Sequence, residues 1–140
     1  MGARSKGREL ALQFLYGREY VAGDWAEDQA RFLAASGRGE RARAFAHRLL
    51  SGLARHLEAV DRDLARLAPP EWPVARMGRT DRAILRLGLY ELLYDRATPP
   101  KVVIDEAVEL AKRYGDADAY RFVNGILHTA YRELQEAEGA

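Results

Sequence analysis

The chain has 140 residues, 22 Lys and Arg against 21 Asp and Glu, and a formal net charge of +1. That length suits one domain burying about two-thirds of its unfolded surface, and so balanced a charge makes no global case for nucleic acid, leaving any such argument to local clustering. With no cysteine, disulfides and thiolate metal sites are excluded, and the chain fits a reducing compartment. The opening MGARSKGRELAL lacks a continuous apolar stretch of signal-peptide type, and no apolar run approaches membrane-spanning length, so a soluble cytoplasmic protein is expected. Abundant Arg and Ala, with little Ile, Ser, Thr or Asn, favours an all-α fold.

From Arg4 to Tyr20, Leu10, Ala11, Phe14 and Leu15 fall on one side and Lys6, Glu9, Gln13, Tyr16 and Tyr20 on the other, predicting an amphipathic helix with a basic start. Gly23 breaks it. Asp24 and Glu27 have capping-box spacing for a second helix through Trp25, Phe32 and Leu33, closed by the loop Ser36-Gly37-Arg38-Gly39. Between Glu40 and Ala68 the apolar positions Ala46, Leu49, Leu53, Leu57, Val60, Leu64 and Leu67 alternate steps of three and four, predicting the longest helix. Pro69-Pro70-Glu71-Trp72-Pro73 stops it, because proline supplies no amide donor and its preceding residue avoids the helical region. We divide the single expected domain there, into a three-helix part over 1–68 and a helical part over 74–140.

Thr80 to Asp95 is the stretch around which the rest must be organised. Ile84, Leu85, Leu87, Leu89, Tyr90, Leu92, Leu93 and Tyr94 fill eight of eleven consecutive positions, too many for one stripe, so this helix must be surrounded by others. Thr80 is the expected N-cap, with Asp81 at the positive end of the helix dipole. Gly88 sacrifices helix propensity and predicts close approach of a neighbouring helix, while Glu91 lies among leucines and must be paired. Pro99 and Pro100 open the next helix, with Val103, Ala107, Leu110, Ala111 and Tyr114 as its buried stripe and Gly115 as its C-cap. Asp116 is the expected cap of a last helix with the stripe Val123, Ile126, Leu127, Ala130 and Leu134, whose acidic end, Glu133 to Glu138, should fray. Six to seven helices are expected, and nothing reads as a strand.

Signs of catalysis are missing. His47, His56 and His128 lack metal-ligand spacing, no phosphate-binding glycine loop or nucleophile motif occurs, and the acidic residues alternate with arginine as they do on solvated helix faces. No cofactor or metal is expected. The positive signals concern binding. Arg4, Lys6 and Arg8 crowd the first helical turns, where a phosphate backbone could dock or a solvated terminus could simply carry charge. Tyr16 and Tyr20, one turn apart on a polar face, suit a partner surface, base stacking, or packing beneath a loop. Phe122, between Arg121 and Asn124 and one turn from Asp118, is either a stacking platform for an unpaired base or the rim of the core. Lys112 and Arg113 could join that corner, though they equally suit the negative end of their helix.

Three segments, RSKGRELALQFLY, RTDRAILRLGLYELLYD and PPKVVIDEAVELAKRYGDADAYRFVNGIL, together resemble the NusB family of bacterial transcription antitermination factors. The likeness runs over nearly the whole chain and is densest from Arg79 to Leu127. It implies an all-helical fold with one central helix, and a non-catalytic adaptor that binds the single-stranded boxA element of nascent ribosomal RNA leaders together with NusE. With other Nus factors, such proteins make RNA polymerase resistant to termination. Carried onto this chain, the resemblance makes Arg4, Lys6, Arg8, Lys112, Arg113, Asp118, Arg121, Phe122 and Asn124 the RNA side. It makes Asp81, Arg82 and Arg86, with Tyr16, the NusE side. Gly2, Ser5 and Gly7 interrupt an N-terminal arginine run that is denser in many relatives, which implies weaker RNA affinity, and the family includes both monomers and homodimers. Two other readings stand beside this one: a helical protein-interaction scaffold without RNA recognition, and the NusB-like RNA-binding module of ribosomal RNA methyltransferases. The 140 residues contain no nucleotide-binding pattern, which favours a free-standing protein over the second.

Overall fold

The computed structural model describes residues 2–18 and 23–139. Among these it has six α-helices and no strand: α1 (Ala3–Arg18), α2 (Trp25–Ala35), α3 (Glu40–Leu67), α4 (Arg79–Tyr90), α5 (Pro100–Tyr114) and α6 (Ala119–Gly139). A short 3-10 turn, Val74–Arg76, precedes α4, and a π-turn, Glu91–Asp95, follows it. Tyr20 lies outside the described residues.

The order follows from the apolar patterning. α4 packs against α1, α3, α5 and α6, and Ile84, Leu85, Leu87 and Leu89 are all essentially inaccessible to solvent, as a helix apolar on every side requires. One continuous core runs from Ala11 and Phe14 of α1 through Leu49, Leu53 and Val60 of α3 and Val103 and Ile104 of α5 to Val123 and Leu127 of α6, crossing the proline boundary. A smaller cluster, Leu10, Leu33, Ala42 and Ala46, lies where α1, α2 and α3 meet. Gly88 lets α6 approach as expected: a Cβ there would stand 3.0 Å from Leu127 Cδ1. Gly7 does the same between α1 and α3, where a Cβ would stand 2.9 Å from the Ala42 carbonyl and from Phe45 Cδ2.

The helix ends partly follow the sequence reading. Asp24 caps α2 by accepting a hydrogen bond from Glu27 N at 2.9 Å, Pro100 opens α5, and Gly115 closes it. Gly115 has φ −83°, a conformation open to any residue; a side chain is excluded there because its Cβ would collide with Asp81 Oδ1. Four expectations are corrected. α4 starts at Arg79 with Gly78 as N-cap, so Thr80 is within the first turn. α6 starts at Ala119, after Asp118 at φ +63°, so Asp116 is not its adjoining cap, although its carbonyl accepts from Ala119 N at 3.1 Å. Tyr114 is 43 % exposed, since it stands on the last turn of α5, past the end of the core. The acidic tail stays helical to Gly139, with Glu133 2.8 Å from Arg66 and Glu138 2.8 Å from Arg96.

Candidate nucleic-acid and partner interfaces

The basic opening of α1 divides between surface and interior. Arg4 and Lys6 are exposed, with the Arg4 guanidinium 5.6 Å from the centre of the Phe45 ring. Arg8 is only 3 % exposed. Its Nε and Nη2 donate to the two oxygens of Glu91 at 2.8 Å each, and Nη1 donates to Glu106 at 3.2 Å. Arg8 is therefore withdrawn from the expected RNA side. It is the partner that Glu91 requires, and it neutralises the carboxylate where the π-turn begins.

The turn between α5 and α6 gathers the second set. Tyr120 lies between Lys112 Nζ, 5.3 Å from its ring centre, and the Arg121 guanidinium, at 5.7 Å. Arg121 Nε donates to Tyr120 Oη at 3.3 Å and stands 3.9 Å from exposed Asp118. Asn124 is exposed next to this cluster, one turn beyond Arg121. Phe122 is half-buried, and its ring stacks on Trp72 with centres 4.9 Å apart and planes 30° apart. Neither Trp72 nor Tyr120 stood out in the sequence. Trp72 occurs within a proline-rich stop, and only the return of that linker across α6 brings it to Phe122. Tyr120 adjoins Arg121 in sequence, but Lys112, on α5, reaches its ring only through the turn between α5 and α6.

Arg113 is held away from this cluster. It donates to Glu9 at 2.6 Å and to Tyr114 Oη at 3.1 Å. A narrow cleft of about 80 Å³ lined by Ser5, Arg8, Glu9, Glu106, Glu109, Leu110 and Arg113 separates the α1 opening from the α5–α6 corner, and its charges are mixed. The two basic regions are thus not joined along α5.

A third surface lies around Tyr16, which is 47 % exposed. The Arg79 guanidinium sits 4.4 Å from its ring centre and donates to the Tyr16 carbonyl at 2.5 Å. Leu12, Gln13, Tyr16, Thr80 and Tyr114 line an open groove of about 310 Å³ here, flanked by two exposed tyrosines. Of the residues expected beside Tyr16, Asp81 is fully buried and cannot touch a partner. Neither of its carboxylate oxygens has a close hydrogen-bond partner, and burial, reinforced by the nearby Asp116 carboxylate, pushes its pKa up to about 6. Arg82 donates to the Met77 carbonyl, and Arg86 donates to Asp61 at 2.8 and 3.3 Å, tying α4 to α3. Both arginines are half-buried and serve the fold.

The family model of NusB matches residues 5–132. The chain belongs to the NusB family. It is 44 % identical to the transcription antitermination protein NusB of Geobacter sulfurreducens over 128 residues, covering 91 % of this chain and 92 % of that protein. Against the NusB of Trichlorobacter lovleyi the identity is 42 %, covering 91 % and 89 %. The fold matches the T. maritima NusB structure with a TM-score of 0.82 at 33 % identity, covering 93 % of this chain and 91 % of that one. It also matches, with a TM-score of 0.83 at 28 % identity and coverage of 95 % and 98 %, a chain in the crystal structure of antitermination factors NusB and NusE in complex with dsRNA. NusB membership accounts for the all-helical architecture around α4. Among the described residues no helix is long and apolar enough to cross a membrane.

Proposed function

We propose that this NusB-family chain is a non-catalytic, cytoplasmic transcription antitermination factor that binds the single-stranded boxA element of ribosomal RNA leaders together with NusE, and acts with RNA polymerase and other Nus factors. The observation that carries the reading is the exposed α5–α6 corner, where Lys112 and Arg121 flank Tyr120 and Phe122 stacks on Trp72 next to Asn124. Single-stranded RNA is read by splayed bases against aromatic and amide groups, while cations hold its backbone, and this corner supplies all three. The match to a NusB chain crystallised with NusE and dsRNA supports RNA and NusE as the partner classes. Arg4 and Lys6 add exposed charge, whereas Arg8 is committed to Glu91 and Arg113 to Glu9. For NusE we assign the groove around Tyr16 and Tyr114, with Arg79 beneath it, in place of buried Asp81.

The test is fluorescence anisotropy of labelled boxA-type RNA and a scrambled control, with and without NusE. Wild type should prefer boxA, NusE should strengthen binding by linkage of about 1 to 3 kcal/mol, and Phe122→Ala should weaken it by about 1 to 3 kcal/mol while the far-UV circular dichroism stays unchanged. Equal binding of the two RNAs would overturn boxA recognition, and no binding of either even with NusE would leave the protein-interaction scaffold as the function.

A further inference from the structure

We infer that the groove between the start of α1 and the first half of α3 is a phosphate-binding track, which carries the RNA backbone away from the α1 opening along α3; the inference rests on the RNA-binding reading above. The groove, about 580 Å³ and open to solvent, is lined by Gly2, Ala3, Arg4, Ser5, Arg41, Ala44, Phe45 and Arg48. Three of these are arginines and none is acidic. Arg4 of α1 is joined there by Arg41 and Arg48 of α3.

The sequence of α3 shows why charge collects there. Arg41, Arg48 and Arg55 recur every seven residues, so they stand on one face at intervals of about 10.5 Å, and all three are exposed. From residue 40 to 57 the only carboxylate is Glu40, against Arg41, Arg43, Arg48 and Arg55; acidic side chains resume at Glu58. Arg41 and Arg43 occupy the first turn of their helix, where the macrodipole disfavours a cation and Glu40 is the single acidic residue, and the first turn of α1 has no acidic residue. This arrangement works against the stability of the free protein and suits a polyanion. Arg48 is partly neutralised by Asp95, at 2.8 and 3.0 Å, but Arg41 and Arg55 make no ion pair among the described residues and neither is needed to hold a neighbour. Gly7 lets the two helices approach closely enough to bring Arg4 over Phe45, beside these arginines. The ligand class is a single-stranded nucleic-acid backbone: alternate phosphates of an extended strand repeat on the scale of the arginine spacing.

The double variant Arg41→Gln, Arg55→Gln tests this with a boxA-type RNA extended by a non-specific flank. Arg132→Gln, an exposed arginine on α6, is the control. Each phosphate contact on a single strand contributes about 0.7 to the slope of log K against log salt, so the double variant should flatten that slope by about 1.4, and its deficit relative to wild type should shrink about sevenfold between about 50 and about 200 mM salt. The control should match wild type, and NusE binding should be unchanged in all three proteins. If wild type binds the RNA and the double variant shows the same affinity and slope, the track is overturned while the function stands. A loss of affinity with no change in slope overturns it as well, because the arginines would then act without neutralising phosphate. If wild type binds no RNA at all, the functional reading fails first and the track fails with it.

Discussion

At the scale of single residues, buried charge governs this protein. Arg8 and Glu91 form a two-pronged ion pair, with side chains only 4 % exposed. Removing one partner strands the other in the core, so Arg8→Met should lower stability by about 3 to 5 kcal/mol, whereas Arg8→Met with Glu91→Leu should recover most of that loss. Urea titrations of the two variants check this. Asp81 is the opposite case, a buried carboxylate without a close partner. Its folded pKa, about 6, lies above its ordinary value of 3.8, so the native state binds more protons between those values. Stability should therefore fall as pH rises from about 4 to about 6, by up to about 3 kcal/mol, and stay low above that range. Asp81→Asn should flatten this dependence and raise the midpoint of thermal unfolding at pH 7.5, as measured by calorimetry across the pH range.

At the scale of elements, small residues decide how closely the helices meet. Gly52 of α3 faces Tyr90 of α4, and a Cβ there would collide with the phenol of Tyr90, which is itself buried. Gly52→Ala should lower stability by about 1 to 3 kcal/mol despite its better helix propensity, because α3 and α4 must move apart. Gly88→Ala should be milder, since it meets the flexible end of Leu127 at 3.0 Å. Comparing the two denaturation midpoints tests that order. The π-turn at Glu91–Asp95 also belongs to this scale: it follows the buried Arg8–Glu91 pair, and left-handed Arg96, at φ 68°, ends it.

For the molecule as a whole, the question is whether its two halves unfold separately. The core passes without interruption from α1 and α3 to α5 and α6, and Arg86 and Asp61 bind α4 to α3. The two tryptophans report on opposite halves, Trp25 against Phe14 and Trp72 against Phe122. We expect one cooperative transition: in Trp25→Phe and in Trp72→Phe, the remaining tryptophan's fluorescence and the far-UV circular dichroism should change together with denaturant. Separated transitions would mean that the proline stop after α3 divides two folding units.

Much of this molecule is legible in local sequence. The bounds of α3, the all-round apolar character of α4, the close approach at Gly88 and the need of Glu91 for a partner each depend on residues within a few turns of one another, and helical periodicity reports those directly. The similarity of three segments to one family was also a property of the chain alone. Which residues meet across helices was decided by docking. Arg8 looked like a surface cation and became the partner of Glu91, 83 positions away; Asp81 looked like an exposed charge at a helix entrance and became buried beneath the α5–α6 turn. Trp72 reached Phe122, and Arg41 and Arg48 reached Arg4, only because the linker and α3 pass beside those residues in space. A helix repeat states which face of a segment is apolar, and the sequence by itself determined that much. The partner of each face and of each charge depends on the relative placement of whole helices, a property that arises only when the core closes.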